Sequence, residues 1–396
     1  MIRATALLLA SMEVTALVSF AADVKGLKEQ TKITVTDQMI GLPLAGYRPA
    51  SVWAVAFSPD DQYFAVGVEF TKTKSSSAPI EDDRSYLLIL QMNDFGVVLR
   101  RFEIPRHPAM RVYPPLRWTS DGRYVATPFY TDWQHVAVAE ISSGKLTIVP
   151  NQRCRLEGLL PGPQVVQSCT TPGSDSAIRF AGPGGETLKE WRFPERITIL
   201  GVESKLGRIA VAKRGGADTR AKTHEIAVLD ANDRSEIRHW SFAGEVPYFG
   251  SFAESGSALC VMEASANPDG TDLVCLSVLS GAESLRLTLP AGWSTLMISG
   301  GGLVGIEHRD IKKVPRFLQS LAQTSVVMTN PARCIWDLPS ARETAELPIR
   351  TQWVLPGVDA PYAWTISPTG DLVAEGGSGA VTIYRVAGAE NPQPSR

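Results

Sequence analysis

Two clusters of basic residues are the features of the sequence best placed to do chemistry. Lys213, Arg214, Arg220 and Lys222 stand against Asp218 and Glu225, a net charge of +2. Arg309, Lys312, Lys313 and Arg316 stand against Glu307 and Asp310, again +2. Cationic heads at that density attract anions, so the chemistry implied is binding of an acidic protein segment or a cell-envelope polysaccharide. A third stretch, with Glu263, Asp269 and Asp272, is acidic. Its Asp269-Gly270-Thr271-Asp272 run offers oxygen ligands but is too short for an EF-hand loop, so it reads as a hairpin turn.

The sequence holds no G-x-S-x-G elbow, no H-E-x-x-H, no C-x-x-C and no P-loop. Gly300, Gly302 and Gly305 match G-x-G-x-x-G in form. Phosphate cradling needs a helix opening directly after the glycines, and Leu303-Val304-Gly305-Ile306-Glu307 reads as a strand instead. His107, His135, His224, His239 and His308 show no metal-ligand spacing. No catalytic residue, cofactor or metal is therefore assigned. Trp53, Trp118 and Trp364 fall in or beside strands, where they read as apolar wedges between packed sheets, as does Trp336.

The elements that must position these residues repeat. Residues 51–67, SVWAVAFSPDDQYFAVG, form an apolar strand, a polar turn and a second apolar strand. The pattern returns at 116–128 and 363–377, and more weakly at 155–168, 199–212, 249–263 and 295–307. Aligned on the turn, the markers are Asp61, Gly122, Gly162, Gly207, Gly256, Gly302 and Gly370, with a mean spacing of about 51 residues. A second alternating hairpin follows, clearest at 86–104, 136–149, 225–242, 273–289 and 334–349. Four strands per unit, seven times over, predict an all-β, seven-bladed β-propeller. The 33 Gly and 27 Pro residues suit its many turns, and 44% hydrophobic residues suffice for its core.

The AFSPDD and WTSDG turns resemble the first hairpin of WD40-like repeats. Ile335-Trp336-Asp337-Leu338 is similar to the dipeptide that closes the third strand of a WD40 blade. Only one unit carries Trp-Asp and none carries Gly-His, so looser bacterial propellers of the TolB-like kind match about as well. The resemblance implies a protein-interaction or ligand-binding module without catalysis. Two alternatives stay open. One is a propeller enzyme, a hydrolase or quinone-type oxidoreductase, with its site at the central channel. The other is a carbohydrate-binding propeller.

Four regions follow from this reading. Residues 1–22, with Arg3, an apolar stretch and Ser19-Phe20-Ala21, read as a signal peptide, which predicts a periplasmic or secreted protein. Residues 23–50 form a lead that holds a strand at 31–38. The propeller occupies 51–387, and its seventh unit lacks a fourth strand, which 31–38 is expected to supply. The tail, 388–396, carries two prolines and is expected to stay disordered. Each longer loop is read as an insertion: 71–85, 213–225, and 308–324 with a short amphipathic helix after Pro315. Export also suits the cysteines. Cys154 and Cys169 flank one turn, Cys260 and Cys275 another, and each pair can bridge opposed strands, whereas Cys334 is left over and expected to be buried. With 39 basic and 41 acidic residues, no nucleic-acid partner is expected, and no further apolar run can span a bilayer. The protein is expected to act as a monomer.

Overall fold

The structure is a computed structural model. It describes residues 26–387 apart from 42–45, 48–50, 71–83, 106–114, 130–134, 151–153, 171–175, 215–222, 245, 248, 254–255, 265–269, 291–292, 300–301, 314–325, 339, 341, 349–362 and 378. The signal segment, the tail, the insertion at 71–83 and the helix expected after Pro315 all lie outside the described residues.

The polypeptide enters through β1 (Leu27–Thr34) and a helical turn, α1 (Asp37–Ile40). Blade 1 follows as β2 (Ser51–Phe57), β3 (Tyr63–Phe70), β4 (Arg84–Gln91) and β5 (Asp94–Ile104). Blade 2 is β6 (Arg117–Trp118), β7 (Tyr124–Phe129), β8 (His135–Glu140) and β9 (Leu146–Pro150). Blade 3 is β10 (Cys154–Leu160), β11 (Gln164–Thr170), β12 (Ser176–Ala181) and β13 (Thr187–Phe193). Blade 4 is β14 (Ile197–Glu203), β15 (Arg208–Arg214), β16 (Thr223–Asp230) and β17 (Glu236–Ala243). Blade 5 is β18 (Phe249–Ala253), β19 (Ala258–Ala264), β20 (Gly270–Ser277) and β21 (Glu283–Pro290). Blade 6 is β22 (Trp293–Ile298), β23 (Leu303–Lys313), β24 (Val326–Asp337) and β25 (Arg342–Pro348). Blade 7 is β26 (Trp364–Ile366), β27 (Leu372–Gly376) and β28 (Ala380–Val386), with β1 as its outermost strand.

All seven sheets are antiparallel, and the first strands of successive blades touch one another around an inner ring. The ring closes where β2 meets β26 and where β1 pairs with β28, from Leu27 opposite Val386 to Thr34 opposite Ala380. The closing strand thus starts four residues earlier than the alternation at 31–38 suggested. Val35 and Ile40 still enter the core, but residues 37–40 turn into α1 and Gly41 ends it with a φ of 65°.

Local chemistry explains the repeat. All seven aligned turn markers adopt positive φ, from 53° at Asp61 to 89° at Gly256. A left-handed residue is needed at this point of each turn, and six of the seven blades use Gly there. In four blades a buried hydroxyl locks the same turn. The Oγ atoms of Ser58, Ser299 and Ser367 and the Oγ1 of Thr119 accept the backbone N–H of Tyr63, Leu303, Leu372 and Tyr124.

Blades are held together by apolar clusters that span neighbours. One joins Val52, Phe64 and Leu88 of blade 1 to Leu372 and Ile383 of blade 7 and to Ile33. The tryptophans serve these seams. Trp118 is 9% exposed and donates to the Ala56 carbonyl of the preceding blade, while Trp364 is 4% exposed and lies against Gly305. A polar clamp recurs outside them. Arg100, Lys189 and Arg238, each beside a bulge in a fourth strand, donate to carbonyls of the next blade at Ile141, Ala231 and Val278.

Candidate functional site

In an up-and-down blade, the connections from strand two to strand three share one face with the connections to the next blade. On that face the two basic clusters sit differently from their reading as loops. Lys213 and Arg214 end β15, and Arg309, Lys312 and Lys313 belong to β23. Arg220, Lys222 and Arg316 lie outside the described residues.

Lys213 is neutralised. Its Nζ lies 2.9 Å from Glu225 and 3.6 Å from Glu195. The hydrogen bond to Glu225 raises the lysine above its usual range, and the same bond holds the Glu225 carboxyl below its own. This cation is committed to joining β15, β16 and the link between blades 3 and 4.

The blade 6 cluster is built on a ribbon. β22 pairs with β23 only as far as Trp293 opposite His308, and β25 pairs with β24 only as far as Pro348 opposite Ala332. Beyond that point, among the described residues, β23 and β24 pair only with each other: Asp310 with Thr329, Ile311 with Met328, Lys312 with Val327 and Lys313 with Val326. A two-stranded β-ribbon therefore projects from the loop face and carries Arg309, Lys312 and Lys313.

The acidic residues assigned to a blade 5 loop are strand residues instead. Glu263 lies near the end of β19 and Asp272 near the start of β20, both buried, whereas Asp269 lies outside the described residues. They meet His224 of blade 4, whose Nε2 is 3.2 Å from Glu263. Arg286 reaches Asp272 at 2.9 Å and Glu283 at 2.7 Å, and these carboxylates, Glu283 first, raise the guanidinium above its usual range. His224 is 1% exposed and stacks on Phe242. A second seam repeats the device: fully buried Arg333 of blade 6 lies 2.6 Å from Glu375 of blade 7. These pairs cross blades at separations of 39 and 42 residues, so no local motif announces them.

At the inner strands of blades 2 and 3, Arg117 donates to the Glu157 carbonyl, and Arg155 lies 3.7 Å from the Glu157 carboxylate. Ser168 donates to that carboxylate at 2.5 Å. Burial pushes the Glu157 carboxyl up, while Arg117 is exposed.

Two glycines of the G-x-G-x-x-G match, Gly302 and Gly305, serve the fold, and Gly300 lies outside the described residues. Gly302 takes a φ of 79° in the turn, β23 follows it rather than a helix, and a Cβ on Gly305 would lie 2.6 Å from Trp364. Among the described residues, no group of three or more His, Cys, Asp and Glu is arranged to hold a metal ion. Disulfides join Cys154 to Cys169 and Cys260 to Cys275, each pair directly opposed on neighbouring strands, and Cys334 is a buried thiol. No described helix is long and apolar enough to cross a membrane.

No protein-family model and no curated protein matches the sequence. Among solved structures, the chain is similar to the β-propeller domain of Myceliophteria thermophila Cps50 (Swd1). The TM-score is 0.56 and the identity 14%, covering 91% of this chain and 99% of that one. At that identity the likeness concerns fold. In fold, the protein is a seven-bladed WD40-like β-propeller.

Proposed function

We propose that the protein is an exported, non-catalytic interaction module whose loop face docks an acidic segment of another protein. The observation that carries this reading is the blade 6 ribbon, which outruns its own sheet and brings Arg309, Lys312 and Lys313 to the loop face. Among the described residues no strand pairs with either outer edge of this ribbon, and such edges recognise extended partners. The two disulfides support export, because cross-strand bridges persist in oxidising compartments. The test joins His308 to Ala332 through Asn-Gly, removing residues 309–331 while keeping the hairpin register. Cross-linking in an envelope extract should recover a partner with the full ribbon and lose it with the shortened one. Equal recovery overturns the reading. Export is tested separately: four cysteines should resist alkylation in cells until the protein is reduced.

A second reading, a propeller enzyme with its site at the channel, is favoured by Glu157 beside Arg117 and Arg155. A carboxyl raised by burial next to guanidinium groups suits an anionic ester substrate. Turnover of a phosphate-ester panel that disappears in Glu157→Gln would establish it, and no turnover by the wild type would remove it.

A further inference from the structure

A groove of about 480 Å³ runs along the outer circumference where the ring closes, between blades 7 and 1. Its lining is Thr31, Lys32, Ile33 and Thr34 of β1, with Thr36, Gln38 and Met39 around α1 and Val98 of β5. Four consecutive strand residues cannot all reach one groove through their side chains, because successive side chains point to opposite faces. Ile33 confirms this, since its side chain is 6% exposed and packs in the core cluster. The groove therefore follows the edge of β1, where backbone N–H and C=O groups are presented. β1 is the outermost strand of its sheet, and among the described residues no strand pairs with its outer edge. Met39 and Val98 supply a half-buried apolar flank.

We infer that this groove is a β-augmentation site for an extended segment of a partner protein that carries an acidic side chain opposite Lys32. A strand edge repeats donors and acceptors every two residues, a pattern another peptide backbone matches and a polysaccharide does not. Among the described residues lining the groove, Lys32 is the only charged one, which sets the charge of the occupant. The apolar flank then takes one alternate side chain of the incoming strand. This site lies on the circumference and stands or falls independently of the loop-face ribbon.

The test uses the whole chain and two probes: acetyl-Thr-Val-Glu-Val-Thr-Val-amide and the same peptide with Lys in place of Glu. Fluorescence anisotropy measures affinity, and hydrogen exchange reports on the amides of residues 31–34. The acidic peptide should bind and slow exchange there. Its affinity should fall about fivefold in Lys32→Glu, and that variant should prefer the Lys peptide, as expected for one exposed ion pair. Three outcomes overturn the inference: no slowing by either peptide at millimolar concentration, equal affinity for both peptides, or slowing that depends on protein concentration without peptide. The last would give the edge to a second copy of the chain.

Discussion

Asp61 occupies the turn position that is glycine in the other six blades, and it brings a carboxyl into the seam between blades 1 and 7. Burial pushes that carboxyl from 3.8 up to about 6, against hydrogen bonds from Thr369, and the neighbouring Asp371 and Asp60 push in the same direction as burial. A carboxyl raised in the folded state favours folding below pH 3.8, and that advantage is lost as pH rises through about 6. Above pH 6 the protein therefore carries an ionised group it holds poorly. At about 1.4 kcal/mol per tenfold change in proton affinity, the full difference is about 3 kcal/mol. The side chain keeps partial contact with water, so about 1 kcal/mol is the realistic effect. Asp61→Asn removes the charge and tolerates the same backbone conformation. Urea unfolding with the disulfides intact should show the variant gaining about 1 kcal/mol more, relative to wild type, at pH 8 than at pH 4. The comparison across pH isolates the ionisation of Asp61, including the preference of the Thr369 hydrogen bonds for its charged form. An equal difference at both pH values, or a larger benefit at pH 4, would refute the assignment of this strain to the Asp61 charge.

Three further outcomes follow from the seams. Gly305→Ala drives a methyl against Trp364 and should cost about 2 kcal/mol in urea, with a shift in tryptophan emission. Arg333→Ala leaves Glu375 facing a buried void and should cost about 3 kcal/mol, while Arg333→Met combined with Glu375→Leu should recover most of it. A chain beginning at Val35 lacks β1 and the burial of Leu27 and Ile33, worth about 4 kcal/mol together, and should melt well below the full chain. An unchanged melting temperature there would mean that β1 does not close the ring.

The blade count was legible because every first hairpin needs a left-handed residue, and glycine is the residue that marks one. Asp61 was found through the apolar strands that flank its turn in SVWAVAFSPDDQYFAVG, and the structure shows Ser58 and Tyr63 holding that turn without glycine. The start of β1 was hidden by its own position: Lys28, Glu29 and Gln30 are exposed on an edge strand, so no apolar alternation betrays them. Thr36 to Gln38 continued the alternation in sequence while the backbone turned into α1. The charged residues were found but misplaced, because charge alone does not distinguish a loop from a strand that outruns its blade. Glu263 and Asp272 looked like solvated loop residues, and only the partners His224 and Arg286, supplied by other strands, explain their burial. The groove along β1 leaves no mark in the sequence, since it is made of backbone.

The pairing of β1 with β28 also sets a timetable. β1 is synthesised before all seven blades and waits for β28, with Leu27 opposite Val386. Until then blade 7 lacks its outer strand, and both β1 and β28 expose backbone able to pair with other chains. Completion of the ring therefore waits for the synthesis of β28.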